Sequence, residues 1–281
     1  MLGIAPYVDA GILVCKRLRS SMPSGTPVSH TSPWERFAVE LDDGPNATAA
    51  IGLIVPSNDP VIESEIRAFT AAVSGVAVLA SRVLLSGTTT PEGLMNMLGQ
   101  IPQALSVLMP DARLDVLAFG CTSGAMAIGP EQISALVASD RPGLPVTDPV
   151  TASITALNRL DARRIAILTP YPDVVNAIVE DHFARQGFCL GAKGTFGQQG
   201  DAAISRIPPN AIFEAGVALG SRGVDALFVS CTALRTSPVI EQIEHAIDKP
   251  VVTSNQALAW QALRLAGYNG AVQGFGRLLT L

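Results

Sequence analysis

Two short stretches decide the fold: Asp115-Val-Leu-Ala-Phe-Gly-Cys-Thr122 and Asp225-Ala-Leu-Phe-Val-Ser-Cys-Thr232. Each runs from an aspartate through four apolar residues to a small residue and then Cys-Thr. A short apolar run closed by a small residue predicts a strand buried on both faces, the kind found in parallel sheets. The match is an internal repeat, and it extends upstream. Ile51-Gly-Leu-Ile-Val-Pro-Ser57 precedes Cys121 by nearly the same interval as Ile165-Ala-Ile-Leu-Thr-Pro-Tyr171 precedes Cys231. Further strand-like runs at Val76–Ala80 and Val251–Thr253 complete an alternation with helical patterns. The expected class is therefore α/β: two similar, pseudo-symmetric lobes, each a parallel sheet with helices on its faces. Residues 46–160 are assigned to the first lobe and 161–281 to the second, with a closing segment that returns to the first. Residues 1–45, rich in Ser, Pro and Gly around Ser20–Pro33, are expected to form an N-terminal extension.

Composition narrows the function. The 281 residues are 48% hydrophobic and only 15% charged, enough to bury a large core. A net charge of −5, no basic cluster and few aromatics argue against a nucleic-acid partner. Gly93–Pro110 is free of charge but carries Asn96, Gln100, Pro102 and Gln103, so it predicts a half-buried helix and no membrane span. The apolar Gly11–Cys15 follows Asp9, precedes Lys16 and Arg17 and lacks a small-residue cleavage site, so no signal peptide is expected. Four cysteines (Cys15, Cys121, Cys189, Cys231) show no disulfide spacing, which favours a reducing cytoplasm. A homodimer is the prior expectation for an apolar chain of this size.

In an open α/β sheet the turns at the carboxyl ends of the strands bind ligands, and both repeat cysteines fall on such turns. A cysteine between a strand and a helix meets unpaired N–H groups that favour thiolate, so a lowered pKa is expected for both. Thr122 and Ser123 beside Cys121, and Thr232 and Ala233 beside Cys231, would complete sites for an anionic oxygen such as a carboxylate. Ser57, Asn58 and Asp59 occupy the equivalent turn after the first strand, and Tyr171 the one after its repeat partner. Asp59 either caps the following helix or receives an ammonium or amidinium group, since it would repel a dianion. Ser254 is assigned to capping the helix that runs to Leu265. Cys15 and Cys189 lack the repeat context and read as small buried apolar residues. His30, His182 and His245 are scattered, which excludes a Cys-His pair and a zinc set. No glycine-rich nucleotide cradle follows a strand, so no cofactor is expected.

Several pieces together resemble one family: Val55-Pro-Ser57 with Glu63, Phe119-Gly-Cys-Thr-Ser-Gly124, Leu168-Thr-Pro-Tyr171 with Asn176, Val229-Ser-Cys-Thr232, and Val252-Thr-Ser-Asn-Gln-Ala257 with Trp260 and Arg264. In order they resemble the maleate cis-trans isomerase and arylmalonate decarboxylase branch of the aspartate/glutamate racemase superfamily, over roughly Ala50–Leu279. The resemblance implies two Rossmann-like lobes with the active site in the cleft between them. It also implies a catalytic Cys121/Cys231 pair, with substrate contacts at Thr122, Ser123, Thr232 and Tyr171. Decarboxylase members carry one catalytic cysteine, so a chain with both fits them less well. Where maleate isomerases place a substrate-contacting Asn, this sequence has Asp59. With Ser81-Arg82, Thr88-Thr-Thr-Pro-Glu92 and Val146-Thr-Asp-Pro149, that makes it more similar to ectoine-utilisation racemase-like proteins of the same branch.

The expected function is thus a cofactor-independent racemase, epimerase or isomerase of a small carboxylate, with two thiols exchanging protons. Three alternatives stay open: cis-trans isomerisation through a covalent cysteine adduct, arylmalonate-type decarboxylation, and non-catalytic binding of a small molecule.

Overall fold

The computed structural model describes residues 34, 37–85 and 91–281. Cys15, His30, the Ser20–Pro33 stretch and residues 86–90 lie outside the described residues. The chain divides into two units, Met1–Leu41 and Asp42–Leu281, and both sheets belong to the second.

The first half runs β1 (Ala49–Pro56), α1 (Ile62–Thr70), β2 (Val76–Val83), α2 (Pro91–Met95), α3 (Ile101–Ser106), β3 (Val116–Phe119), α4 (Thr122–Ile128), α5 (Pro130–Asp140), β4 (Val146–Thr147) and α6 (Pro149–Arg159). The second runs β5 (Arg164–Thr169), α7 (Asp173–Arg185), β6 (Cys189–Thr195), α8 (Asp201–Ile204), α9 (Pro209–Gly220), β7 (Ala226–Val229), α10 (Ile240–Ile247), β8 (Val251–Thr253) and α11 (Ser254–Leu265). The strands form two sheets of the same order, β2-β1-β3-β4 and β6-β5-β7-β8, with every pairing parallel. This is the duplicated α/β architecture that the repeat predicts.

The aspartate that opens each repeat does the same structural work twice. Asp115 accepts the Ala50 N–H at the start of β1, 2.8 Å away. Asp225 accepts the N–H groups of Arg163 and Arg164 at the start of β5, at 2.9 and 2.7 Å. Each carboxylate satisfies donors at the open end of the neighbouring strand, where the ladder offers no partner. Strands β1, β3, β7 and β8 are buried along their whole length, which explains why they read as unbroken apolar runs.

Three expectations need correction. Gly93–Pro110 is not one helix: α2, a 3₁₀ turn at Leu98–Gln100 and α3 divide it. Gly99 is a weak helix former, Pro102 lies in the first turn of α3, and the Gln100 amide bonds both backbone groups of Leu84. Strands β4 and β6 carry no strand signal in the sequence, because one has two residues and the other, Cys-Leu-Gly-Ala-Lys-Gly-Thr, is a glycine-broken edge strand. Cys189, which opens that edge, is exposed and not a buried apolar residue.

Among the described residues, no helix is long and apolar enough to cross a membrane. The last helix, α11, leaves β8 and packs against α1, α6 and β3 of the first half. Its first residues thereby come to lie between the two cysteine turns.

Candidate active site

Cys121 follows β3 and caps α4: its sulfur accepts the Gly124 N–H at 3.3 Å and stands 3.9 Å from the Ser123 hydroxyl. A Cβ at Gly124 would stand 2.9 Å from that sulfur and 2.5 Å from the Met97 methyl, so any side chain there would displace them. Cys231 follows β7, but no helix begins at it. Its backbone has a φ of +115°, a region that favours glycine, and the chain turns through Thr232 and Ala233 before α10 starts at Ile240. Such a backbone costs on the order of 1–3 kcal/mol and persists only where surrounding contacts hold it. The Ala233 N–H and the Tyr171 hydroxyl lie near enough to the Cys231 sulfur to favour its thiolate, and the Tyr171 hydroxyl also meets the Ser230 hydroxyl at 3.4 Å. Each sulfur therefore has one backbone N–H and one hydroxyl beside it.

Ser254 brings the two turns together. Its hydroxyl oxygen accepts the Thr122 hydroxyl at 2.9 Å and the Cys231 N–H at 3.0 Å. The helix cap is instead Thr253, in a reciprocal pair with Gln256. The expected capping role of Ser254 is corrected accordingly, and Thr122 is seen to point its hydroxyl at Ser254. Beside Ser254, Asn255 donates to the Thr232 carbonyl at 2.8 Å and to Glu65 at 3.1 Å. Glu65, buried on α1, also accepts the Thr236 hydroxyl and the Ser237 N–H, so one carboxylate ties the first half to the turn that carries Cys231.

Asp59 is buried, with 1% of its surface exposed. One carboxylate oxygen accepts the N–H groups of Val61 and Ile62 at 2.8 and 3.1 Å, as a cap does. The other oxygen is buried without a hydrogen-bond partner. Burial raises the Asp59 pKa, against the opposing pull of those N–H groups, the nearby Thr232 hydroxyl and Arg82. The Arg82 guanidinium is committed to Glu63 and to the carbonyls of Pro56, Ser57 and Asp59, and so braces this turn.

A second carboxylate, one the strand and repeat signals do not mark, stands near enough to Asp59 for the two charges to act on each other. Asp201, the first residue of α8, follows the unrecognised strand β6 in a Gly197-Gln-Gln-Gly-Asp201 loop, where only an acidic residue after glycines hinted at it. Its carboxyl is pushed up to about 7 by burial and by the negative Asp59.

The expected low thiol pKa is overturned. Burial, reinforced by the charges of Asp201 and Asp59, pushes the Cys121 thiol up to about 12 and raises Cys231 well above its ordinary value. Desolvation outweighs a single N–H per sulfur, so both groups rest as thiols. Tyr171, 1% exposed, is likewise raised by burial and by Cys231.

Of the residues predicted from sequence, Ser123, Thr232, Ala233, Tyr171 and Asp59 gather round the sulfurs. Ser57 and Asn58 do not: they bond each other and the backbone of Leu85, and Asn58 is exposed. Asn176 holds the turn by accepting the Thr169 hydroxyl and donating to the Tyr171 carbonyl at 2.9 Å. It also lines a groove of about 420 Å³ with Ile167, Leu190 and Lys193, a concavity that contains neither cysteine. Both cysteines are buried, with 6% of their surface exposed. Among the described residues, no group of His, Cys, Asp and Glu is arranged to hold a metal ion.

Comparison with known proteins gives the same assignment along nearly the whole described unit. The family model for arylmalonate decarboxylase matches residues 51–279. The maleate isomerase of Nocardia farcinica is 28% identical over 238 residues, covering 82% of this chain and 94% of its own. The arylmalonate decarboxylase of Bordetella bronchiseptica is 29% identical over 238 residues, covering 83% and 97%. Among solved structures, a cysteine-to-serine variant of the Nocardia farcinica maleate cis-trans isomerase with a covalently bound succinylcysteine intermediate superposes with a TM-score of 0.76. It is 26% identical and covers 83% of this chain and 98% of that one.

Proposed function

Because the chain belongs to the arylmalonate decarboxylase family, we propose that it is a cofactor-independent racemase, epimerase or isomerase of a small carboxylate, with Cys121 and Cys231 as the reacting thiols. The observation that carries this reading is the matched equipment of the two sulfurs. The Cys121 sulfur accepts the Gly124 N–H beside the Ser123 hydroxyl, and at Cys231 the Ala233 N–H and the Tyr171 hydroxyl act on the sulfur in the same sense. Ser254 links the two turns directly. Two thiols on equivalent turns of a duplicated scaffold suit proton exchange at one carbon from opposite faces.

In the reaction one sulfur, once ionised, takes the proton from the carbon next to the carboxylate. The bonding pair moves into the conjugated carboxylate as an enolate, and the opposite thiol returns a proton to the other face. Donors aimed at the enolate oxygens stabilise it, each by about 3 kcal/mol, or roughly a hundredfold in rate. Amino-acid and ectoine-type carboxylates are the finer candidates within this class, and Asp59 is what supports them.

The test is solvent deuterium incorporation into a panel of small carboxylates, with the parent chain and with Cys121→Ser and Cys231→Ser. The parent should exchange the α-proton of its substrate, and each variant should lose exchange while keeping its fold. Near-parental exchange in either variant would end the two-thiol reading.

One relative supports a second reading, cis-trans isomerisation through a covalent cysteine adduct, because a succinylcysteine has been seen in the Nocardia farcinica enzyme's variant. An adduct in the intact-protein mass after incubation with maleate would favour that route. Decarboxylation of an arylmalonate is disfavoured by the retention of both cysteines. Tight binding of a carboxylate with no exchange would favour a binding protein.

A further inference from the structure

Resting on the two-thiol reading, we propose that Asp59 and Asp201 form a cation subsite beside the cysteine pair, so that the substrate is a carboxylate that also carries one protonated nitrogen, an amine or an amidinium. The first ground is the bare oxygen of Asp59. The residue is 1% exposed, one carboxylate oxygen is satisfied by Val61 and Ile62, and the other, near the Thr232 hydroxyl, accepts no hydrogen bond of good geometry among the described residues. A buried acceptor left open is costly, and a site that receives a donor from outside explains it.

The second ground is placement. Asp201 stands near enough for its charge to act on Asp59, on Cys121 and on Cys231, and Asp59 acts on both cysteines, so the two carboxylates and the two sulfurs are neighbours. Arg82 is the basic group that acts on Asp59, and it is spent on Glu63 and three carbonyls. Two carboxylates whose neighbouring cation is already paired elsewhere repel a dianion and attract a monocation.

This arrangement also gives the cation a chemical consequence. In the free protein, the charges of Asp201 and Asp59 oppose thiolate formation at both sulfurs. A protonated nitrogen seated between them offsets that field, so a thiol loses its proton more easily when the correct substrate is present. A dicarboxylate lacking nitrogen would make ionisation harder.

The test needs no knowledge of the substrate. The full chain is treated at pH 8 with 2-aminoethyl or 2-sulfonatoethyl methanethiosulfonate, reagents of matched size and opposite charge. In each case the cysteine sulfur forms a disulfide with the reagent, methanesulfinate leaves with the bonding pair, and the thiol proton goes to solvent. Peptide mass spectrometry follows Cys121 and Cys231, and rate ratios are normalised to those of the urea-unfolded chain.

The ammonium reagent should be favoured tenfold or more at both cysteines, falling below threefold in Asp201→Asn and in Asp59→Asn. Because Asp59 also caps α1, the Asp201 variant decides if the other fails to fold. A ratio near one in the parent, a preference unchanged in Asp201→Asn, or cysteines that neither reagent labels would each overturn the subsite. Labelling does not require turnover, so this proposal and the catalytic reading can fail separately.

Discussion

Replacing Asp201 by Asn removes a charge that folding forces into an unfavourable place, and the effect on stability follows from its proton affinity. In the unfolded chain the carboxyl titrates near its ordinary 3.8, whereas in the folded protein it titrates at about 7. Between those values the native state holds the proton and the unfolded state has released it. Stability therefore falls as pH rises through this interval and levels off above it. A difference of that size corresponds to about 4 kcal/mol for a fully buried group. Asp201 keeps part of its surface in water, and screening there reduces the figure to on the order of 2 kcal/mol.

Asparagine keeps the shape without the ionisation, so Asp201→Asn should be more stable than the parent at pH 8 by about 2 kcal/mol, and the gap should narrow toward pH 4. Urea denaturation of both proteins at several pH values from 4 to 8 measures it. For a unit of this size the shift at pH 8 would appear as roughly 4–8 °C in Tm. A gap that stays constant with pH, or a parent that is the more stable protein at pH 8, would refute the reasoning.

Two further substitutions probe the polar network behind the cysteines. Ser254→Ala leaves the Thr122 hydroxyl and the Cys231 N–H without their acceptor, which should cost about 2–4 kcal/mol in a urea melt. The same variant should lower deuterium exchange at least tenfold, because it frees the strained turn that carries Cys231. Glu65→Gln places an amide donor where three donors already converge, so it should destabilise by about 2–3 kcal/mol, read as a shift in urea midpoint at constant slope.

What could be read from the sequence was set by periodicity and by repetition. Apolar runs such as Leu53–Val55 and Leu227–Val229 carry the signal of buried strands, and the doubled Asp-to-Cys stretch revealed the two halves. The short β4 and the glycine-interrupted β6 carry no comparable pattern, and Asp201 was lost along with β6. The cysteines themselves were legible because the repeat marks them. Their protonation was not, since it depends on how deeply they are buried and on two carboxylates brought from distant points of the chain. Ser254 looked like a helix cap because serine at a strand-helix junction ordinarily is one. Only the tertiary arrangement shows that the cap is its neighbour Thr253, leaving Ser254 for the seam between the halves.

The left-handed backbone at Cys231 has a kinetic meaning. Its counterpart Cys121 sits in an ordinary extended conformation at the head of a helix, with a φ of −144°. On the proposed two-thiol reading, the duplicated scaffold presents its two acid-base partners on unlike backbones, and the forward and reverse half-reactions are expected to meet different barriers. If the two ends of the reaction are enantiomers, their equilibrium constant is one, so kcat/KM must agree in both directions. Any inequality in turnover number would then be matched by an equal inequality in KM, and the size of that inequality is what the unlike backbones of the two turns would set.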